Sequence, residues 1–382
     1  MGNTLRAGRA GALLAAIAIV ASACTSAATP APTAAPTKAP VVTSAPSAAA
    51  PTFNGGAIGL TKDLPKLATT VTVKGRTGSS LTTAPFWYAI EKGYFDQLGL
   101  KFEVVTIAGS GDVVAPLAAN QIDLAGTSFG SGLYNAISRD LKIIAVADNG
   151  KLDKGLAGSA AVVKKGTVAS YGKDWCALKG KKVAIQGKTT GLWVTLEKAL
   201  ASCNLKTTDI TVVELGFADT NAAITNGAVD VAFQVEPFVA SGVAAGLLDV
   251  WKGLDEGRQS QQMNVVLFSP QFSQNHDVAL RFLVAYIAAT RAYMKDALPG
   301  GDKAQLGNIL SKYLSEKDPT KYATMIMMGI DGNGALNLES IAESLGIYQA
   351  EGNIPAGTLT MSWIKDDIRK EALTYLPDWK AP

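Results

Sequence analysis

The sequence predicts an α/β protein built from two similar lobes with a hinge between them, and a helical C-terminal part packed back on the first lobe. Three observations carry this. From Thr70 onward, short β-branched runs alternate with helical stretches, the pattern of parallel strands joined by crossover helices. The stretch Ala119–Ala125 is echoed by Thr225–Ala232, one residue longer: in both a helix ends on Asn, a turn follows, and Asp opens an apolar strand. After Phe268 the strands stop and only helices follow.

The first 60 residues stand apart from this grammar. The chain has 382 residues, 18% of them charged, and the shortage of charge is concentrated where Ala, Thr, Pro and Gly dominate. Arg6 and Arg9 precede an apolar run, Ala12–Val20, that is too short for the roughly 20 residues of a bilayer span, so residues 1–23 read as a secretory signal. The run ends at Ala21-Ser22-Ala23-Cys24, which resembles the lipobox of bacterial lipoproteins, although Ala21 stands where Leu is more usual. On that reading Cys24 becomes a mature N-terminus carrying acyl chains, and two or more chains anchor stably. The alternative is a soluble secreted protein cleaved after Ala23. Residues 24–64 form a linker in which Pro30, Pro32, Pro36, Pro40, Pro46 and Pro51 lie among Ala, Ser and Thr, with Lys38 the one charge before Pro51. Such a segment buries too little apolar surface to fold, and at about 3 Å per residue it spans several tens of Å.

The remaining 320 or so residues suit two lobes, at about 150 residues per domain. Predicted strands are Thr70–Lys74, Lys101–Thr106, Ile122–Ala125, Leu141–Val146, Ala160–Lys164, Lys181–Gln186, Ile210–Leu215, Val229–Gln234 and Asn264–Phe268. Predicted helices fall at Pro85–Lys92, Val113–Asn120, Gly130–Arg139, Leu192–Ser202, Asn221–Asn226 and Pro237–Ala245, and a long one, capped by Asn275, at Asp277–Ala297. We expect residues 65–165 to form the first part of lobe I, 166–261 lobe II, and 262–382 the mostly helical return to lobe I. The chain would then cross between lobes near Lys164–Thr167 and near Gln259–Asn264. Cys176 precedes the strand Lys181–Gln186 and Cys203 ends the helix after it, so both fall at one end of one unit. A disulfide there is worth about 3–4 kcal/mol outside the cytoplasm, for a loop of about 27 residues; two reduced, buried cysteines are the alternative.

In parallel α/β sheets ligands bind beyond the carboxyl ends of the strands, where helix N-termini present N–H groups. Turns rich in glycine and hydroxyl residues occur there in both halves: Thr77–Thr83, Gly109-Ser110-Gly111-Asp112, Gly126-Thr127-Ser128, Gly187–Gly191 and Gly216–Asp219. Any single one of these residues could simply make a turn or a cap. Their recurrence across both lobes favours a site, with Phe86, Trp87, Phe129, Trp193 and Phe217 as aromatic walls. Arg76 could add charge, but its place before the turn suits exposure equally.

Pro85–Phe95 with Leu98-Gly99-Leu100 resembles a segment of the substrate-binding proteins of the nitrate, sulfonate, taurine and thiamine-precursor uptake family. Asn120–Ala125, Leu178–Ala184, Asn226–Ala232 and Glu236-Pro237 match it in the same order, so the resemblance covers roughly Thr70–Ala297. It implies a periplasmic-binding-protein fold of type II: a clamp that closes by hinge motion on a small molecule and docks, as a monomer, on the permease of an ABC importer with its ATPase. Carried over by position, Ser79, Ser80, Thr82, Thr83, Phe86 and Trp87 line the first lobe with Gly126, Thr127, Ser128 and Phe129. Lys188, Thr189, Thr190, Trp193, Phe217 and Asp219 face them from the second. The family's setting is outside the cytoplasm, and with Cys24 acylated the protein would be tethered to the membrane. Glu91, Lys92 and Gly93 read as a solvated pair and a helix stop, and Glu236-Pro237 as a helix start at the strand end, with ligand contact as the alternative.

Other chemistries fit less well. Gly126-Thr127-Ser128-Phe129-Gly130 matches the G-x-S-x-G nucleophile elbow, and Ser128, Asp230 and His276 follow the chain order of an α/β-hydrolase esterase. Against that rival, about a hundred residues follow His276, no glycine-rich oxyanion motif accompanies the elbow, and Asp230 reads as a strand opener. Gly187-Lys188-Thr189 lacks the first phosphate-loop glycine, which falls on Lys182, and Gly109-Ser110-Gly111 lacks the third dinucleotide glycine, which falls on Val114. One histidine and two cysteines after the leader make no metal cluster, so neither metal nor cofactor is expected. A balance of 35 basic and 32 acidic residues gives no footprint for nucleic acid.

Overall fold

Two five-stranded sheets with one shared topology carry the structure, a computed structural model that describes residues 55–107, 111–257, 260–355, 357 and 361–380. The leader, Cys24, most of the linker and Gly109-Ser110 lie outside the described residues. The first sheet contains β1 (Val71–Arg76), β2 (Leu100–Val105), β3 (Leu124–Ser128), β4 (Ile144–Leu152) and, from far along the chain, β10 (Gln261–Phe268), in the order β2-β1-β3-β10-β4. The second contains β5 (Ser159–Lys164), β6 (Lys182–Ile185), β7 (Thr211–Glu214), β8 (Val231–Val235) and β9 (Leu248–Gly253), in the order β7-β6-β8-β5-β9. In each, the first three strands are parallel and the fourth position holds an antiparallel strand that has just arrived from the other lobe.

The sequence echo has a structural cause. Asp123 accepts the N–H of Lys74 at 2.7 Å, and Asp230 accepts that of Lys182 at 2.8 Å, so each ties the start of its lobe's third parallel strand to the central one. Both bonds use the carboxylate as an acceptor for a backbone group that the sheet edge leaves unpaired.

Two expectations need correction. The chain first crosses between Leu152 and Ser159, not near Lys164–Thr167, because β5 already belongs to the second sheet: Val162 pairs with Ala232 on one side and Val250 on the other. The expected end of the first part of lobe I at residue 165 therefore moves back to the connection 153–158. The sequence also missed β9, an edge strand whose Asp249, Trp251 and Lys252 do not read as a β-branched run.

The helices are α1 (Ala84–Glu91), α2 (Tyr94–Gln97), α3 (Val114–Ala118), α4 (Ser131–Ser138), α5 (Gly191–Ala201), α6 (Phe217–Thr225), α7 (Phe238–Ala244), α8 (Pro270–Gln274), α9 (His276–Ala297), α10 (Lys303–Leu310), α11 (Leu338–Ala350) and α12 (Asp367–Leu373). Asn275 caps α9 as expected, accepting the N–H of Val278. Gly93 ends α1 at φ +68°, a backbone that a side chain would strain. α9 packs against α1, α2 and α12, and rings from strand and helix stack between them: Phe95 on Phe102 at 5.2 Å and on Phe282 at 5.7 Å. α11 lies on α4 and β10 of the first lobe and also touches α5 of the second. Cys176 and Cys203 are joined, with their sulfurs 2.08 Å apart. Among the described residues no helix is long and apolar enough to cross a membrane.

Candidate functional site

A cavity of about 100 Å³ lies where the two sheets face each other. Its wall is assembled from equivalent positions of both lobes: Arg76 and Ser128 end β1 and β3, Gln186 follows β6, and Val235 ends β8. The antiparallel strands bring their beginnings to the same edge, Ser159 of β5 and Met263 and Asn264 of β10. Parallel strands ending and antiparallel strands starting at one edge place backbone dipoles, helix N-termini and short polar side chains around one space.

Of the residues expected to bind ligand, Ser79, Ser80, Thr82, Gly126, Ser128, Thr190 and Phe217 line this cavity. The others are placed elsewhere. Phe86 is fully buried in the first-lobe core, 5.5 Å from Phe102 and 5.2 Å from Tyr286. Trp87 stacks on Tyr313 at 4.3 Å and donates to Thr83, whose hydroxyl bonds Ser80 O. Phe129 packs between Tyr134 and Trp363, and Trp193 donates its indole N–H to Glu351. Thr127 sits between Gly126 and Ser128 on β3, where strand alternation turns it to the opposite face. Lys188, Thr189 and Asp219 are exposed, with Lys188 Nζ 5.7 Å over the Trp193 ring. The aromatic walls are thus largely core fillers, and Phe217 is the one that reaches the cavity.

The sequence reading left Arg76 undecided; the structure buries it to 6% exposure. Its Nε donates to Ile107 O at 3.3 Å and its Nη1 to Gly126 O at 3.0 Å, which holds the guanidinium at the cavity wall. Burial lowers its pKa, against the charge of Asp112, yet an arginine keeps its proton. It is the charged side chain among the described lining residues. Leu192, Val235, Met263 and Met328 make the rest of the wall apolar.

The lobes touch directly beside the cavity. Gly191 N–H, at the start of α5, donates to Ser128 Oγ at 3.0 Å, and that hydroxyl donates to Met263 O at 3.3 Å. Tyr348 of α11 donates to Thr190 O at 2.6 Å, so the C-terminal helix sets the same loop from behind. Ser128 is therefore a strut between lobes. The esterase triad is not assembled: Asp230 is held by Lys182, and His276 bonds Glu371 at 2.8 Å.

Three buried or half-buried carboxyls hold their protons more tightly than usual. Burial raises Glu236 to about 7, opposed by the N–H groups of Ile326 and Ala240, and raises Asp148 to about 6, opposed by N–H groups of Asp331 and Gly150. Glu197 is raised by burial and then by its hydrogen bond to Glu351. Each holds its proton more tightly folded than unfolded, so the stabilisation is complete below about pH 4 and is lost as pH rises through about 6 for Asp148 and about 7 for Glu236 and Glu197. The melting temperature should fall from pH 5.5 to pH 8 by an amount reflecting a few kcal/mol, on the order of one to two from each well-buried group. A melt independent of pH over that range, followed by calorimetry, would contradict this.

The family model described as NMT1/THI5 like matches residues 81–296, more than half of the chain. The chain belongs to that family. No curated protein matches it. Solved structures with the same fold include the nitrate-binding protein NrtA of Synechocystis PCC 6803, with TM-score 0.64 and 17% identity over 80% of this chain and 88% of that one. The ligand-binding component of an ABC-type import system from Staphylococcus aureus gives 0.62 and 18%, over 80% and 99%. The aliphatic sulphonate-binding protein SsuA of Escherichia coli gives 0.59 and 18%, over 78% and 92%. The likeness gives this family member the two-lobed periplasmic-binding-protein fold.

Proposed function

We propose that this member of the NMT1/THI5-like family is a solute-binding lipoprotein outside the cytoplasm, which captures a small organic or anionic ligand between its lobes and delivers it to an ABC importer. The observation that carries the reading is the interlobe cavity with one buried cation, Arg76, among hydroxyl, amide and apolar groups. The structural neighbours that bind nitrate and aliphatic sulphonates point the same way. At about 100 Å³ the cavity is smaller than the roughly 150 Å³ that admits benzene, which favours nitrate or a short sulfonate over a flat ring system. We read the ligand as held without turnover: Ser128 bonds Gly191 N–H and Met263 O, and His276 is held by Glu371.

The signal pattern and Cys24 support an acylated N-terminus that tethers a monomer to the membrane, near the permease and its ATPase. Mass spectrometry of the mature N-terminus should show acyl mass on Cys24; an unmodified cysteine would remove the tether. Thermal-shift screening of nitrate, sulfonates, pyrimidines, flavins and aromatic acids tests the binding role. A ligand at a hundred times its dissociation constant adds about 2.7 kcal/mol of stability. No shift from any of them, together with ester cleavage, would overturn the proposal.

A further inference from the structure

One residue that lines the cavity, Met328, belongs to a segment that lies beyond the family match, which ends at residue 296. Residues 326–329 run along the first crossing between lobes: Gly158 N–H donates to Met327 O at 2.9 Å, and Gly329 N–H to Leu156 O at 2.7 Å. The first lobe holds this segment from two sides. Lys151 N–H, in β4, donates to Gly329 O at 2.8 Å, and the Tyr293 hydroxyl of α9 both donates to Met328 O at 2.9 Å and accepts from Met328 N–H at 3.1 Å. The Met328 side chain lies against Gly158, where an added Cβ would stand 2.7 Å from the methionine methyl, and it lines the cavity.

The second lobe meets the same segment where Ile326 packs on its core, and holds it by a hydrogen bond from one side chain. Glu236, 1% exposed just past β8, accepts Ala240 N–H of α7 with one oxygen at 2.9 Å and Ile326 N–H with the other at 3.0 Å. One bond is internal to the second lobe and the other reaches the first-lobe segment. Swinging the lobes apart must break the Ile326 bond or drag the segment away from Tyr293.

Resting on the binding reading of this cavity, we propose that residues 326–329 form a third wall of the site, and that Glu236 is the positioning residue that ties this wall to the second lobe in the ligand-free protein. Ionised, as at pH 8, Glu236 can accept from both N–H groups, whereas glutamine would turn its own NH₂ against one of them; the exchange is therefore read at pH 8. Ligand-free full-length protein, followed by amide hydrogen exchange with mass spectrometry, tests this. In Glu236→Gln, and in Ile326→Pro, which deletes the donor and leaves the carboxylate, exchange should rise at least tenfold in three places. These are residues 326–329, 76–82 and 186–192, that is, the wall and both faces of the cleft, while α9 stays as protected as in the parent. A change confined to residues 236–240 and 326 would make Glu236 a local helix cap and overturn the proposal. Loss of α9 protection, or failure of both variants to fold, would make it a residue of the fold and overturn it equally. Since no ligand is added, failure here leaves the binding reading standing, and failure of every small molecule to bind leaves the exchange result standing.

Discussion

Alanine at position 130 is expected to hold the lobes short of full closure and to weaken ligand binding about 10- to 100-fold. Gly130 caps α4 in the first lobe, and a Cβ there would stand 1.7 Å from the carbonyl oxygen of Thr189 in the second. Its backbone, at φ −149° and ψ 169°, is extended and open to alanine, so folding of the first lobe is not strained. What the methyl meets is backbone, with no side chain to swing aside. Overpacking of this kind costs about 1–3 kcal/mol, and each 1.4 kcal/mol is about a tenfold change in affinity. The cost falls on the closed state alone, which is the state a ligand must select. Titration calorimetry with the ligand found by thermal shift reads the affinity. Parent-like binding by Gly130→Ala would show that the Thr189 loop yields, and that this contact does not limit closure.

Replacing Arg76 with methionine should reduce affinity for an anion by a factor on the order of a hundred, the largest single-residue loss at this site. A charged hydrogen bond contributes about 1.5–3 kcal/mol, and a charge left without its buried partner costs about 3–5 kcal/mol. Lysine should not restore it, because a single ammonium cannot bridge Ile107 O and Gly126 O and still face the cavity as the planar fork does. The same titration decides the point. If Arg76→Met binds the anion as the parent does, the guanidinium is a strut for two carbonyls and recognition lies with the hydroxyl residues and helix N-termini.

How far the site could be read in advance depended on the kind of signal each residue gives. Ser79, Ser80, Thr82, Gly126, Ser128 and Thr190 belong to glycine- and hydroxyl-rich stretches at strand ends whose composition shows in a window of a few residues, and all six line the cavity. The aromatic residues misled for a physical reason: a phenyl ring favours burial anywhere, and Phe86 and Phe129 satisfy that in the cores. Arg76 read equally as exposed or buried because its partners, Ile107 O and Gly126 O, are 31 and 50 residues away. Met328 gave no signal, since it follows a helical region with no strand pattern to tie it to the cleft.

Alone, the sequence determined the α/β class, the paired lobes and the Asp123 and Asp230 strand openers, because alternation and turn chemistry are set by neighbours along the chain. It also carried the family, through short segments in a recurring order. The tertiary structure decided which sheet takes β5 and β10, and with it where the chain crosses. It also decided that Gly130 lies against the Thr189 carbonyl, that Arg76 is buried at the cavity wall, and that Met328 lines the cavity. Each of these depends on pairing or packing between segments distant in sequence, where local propensity carries no information about the partner.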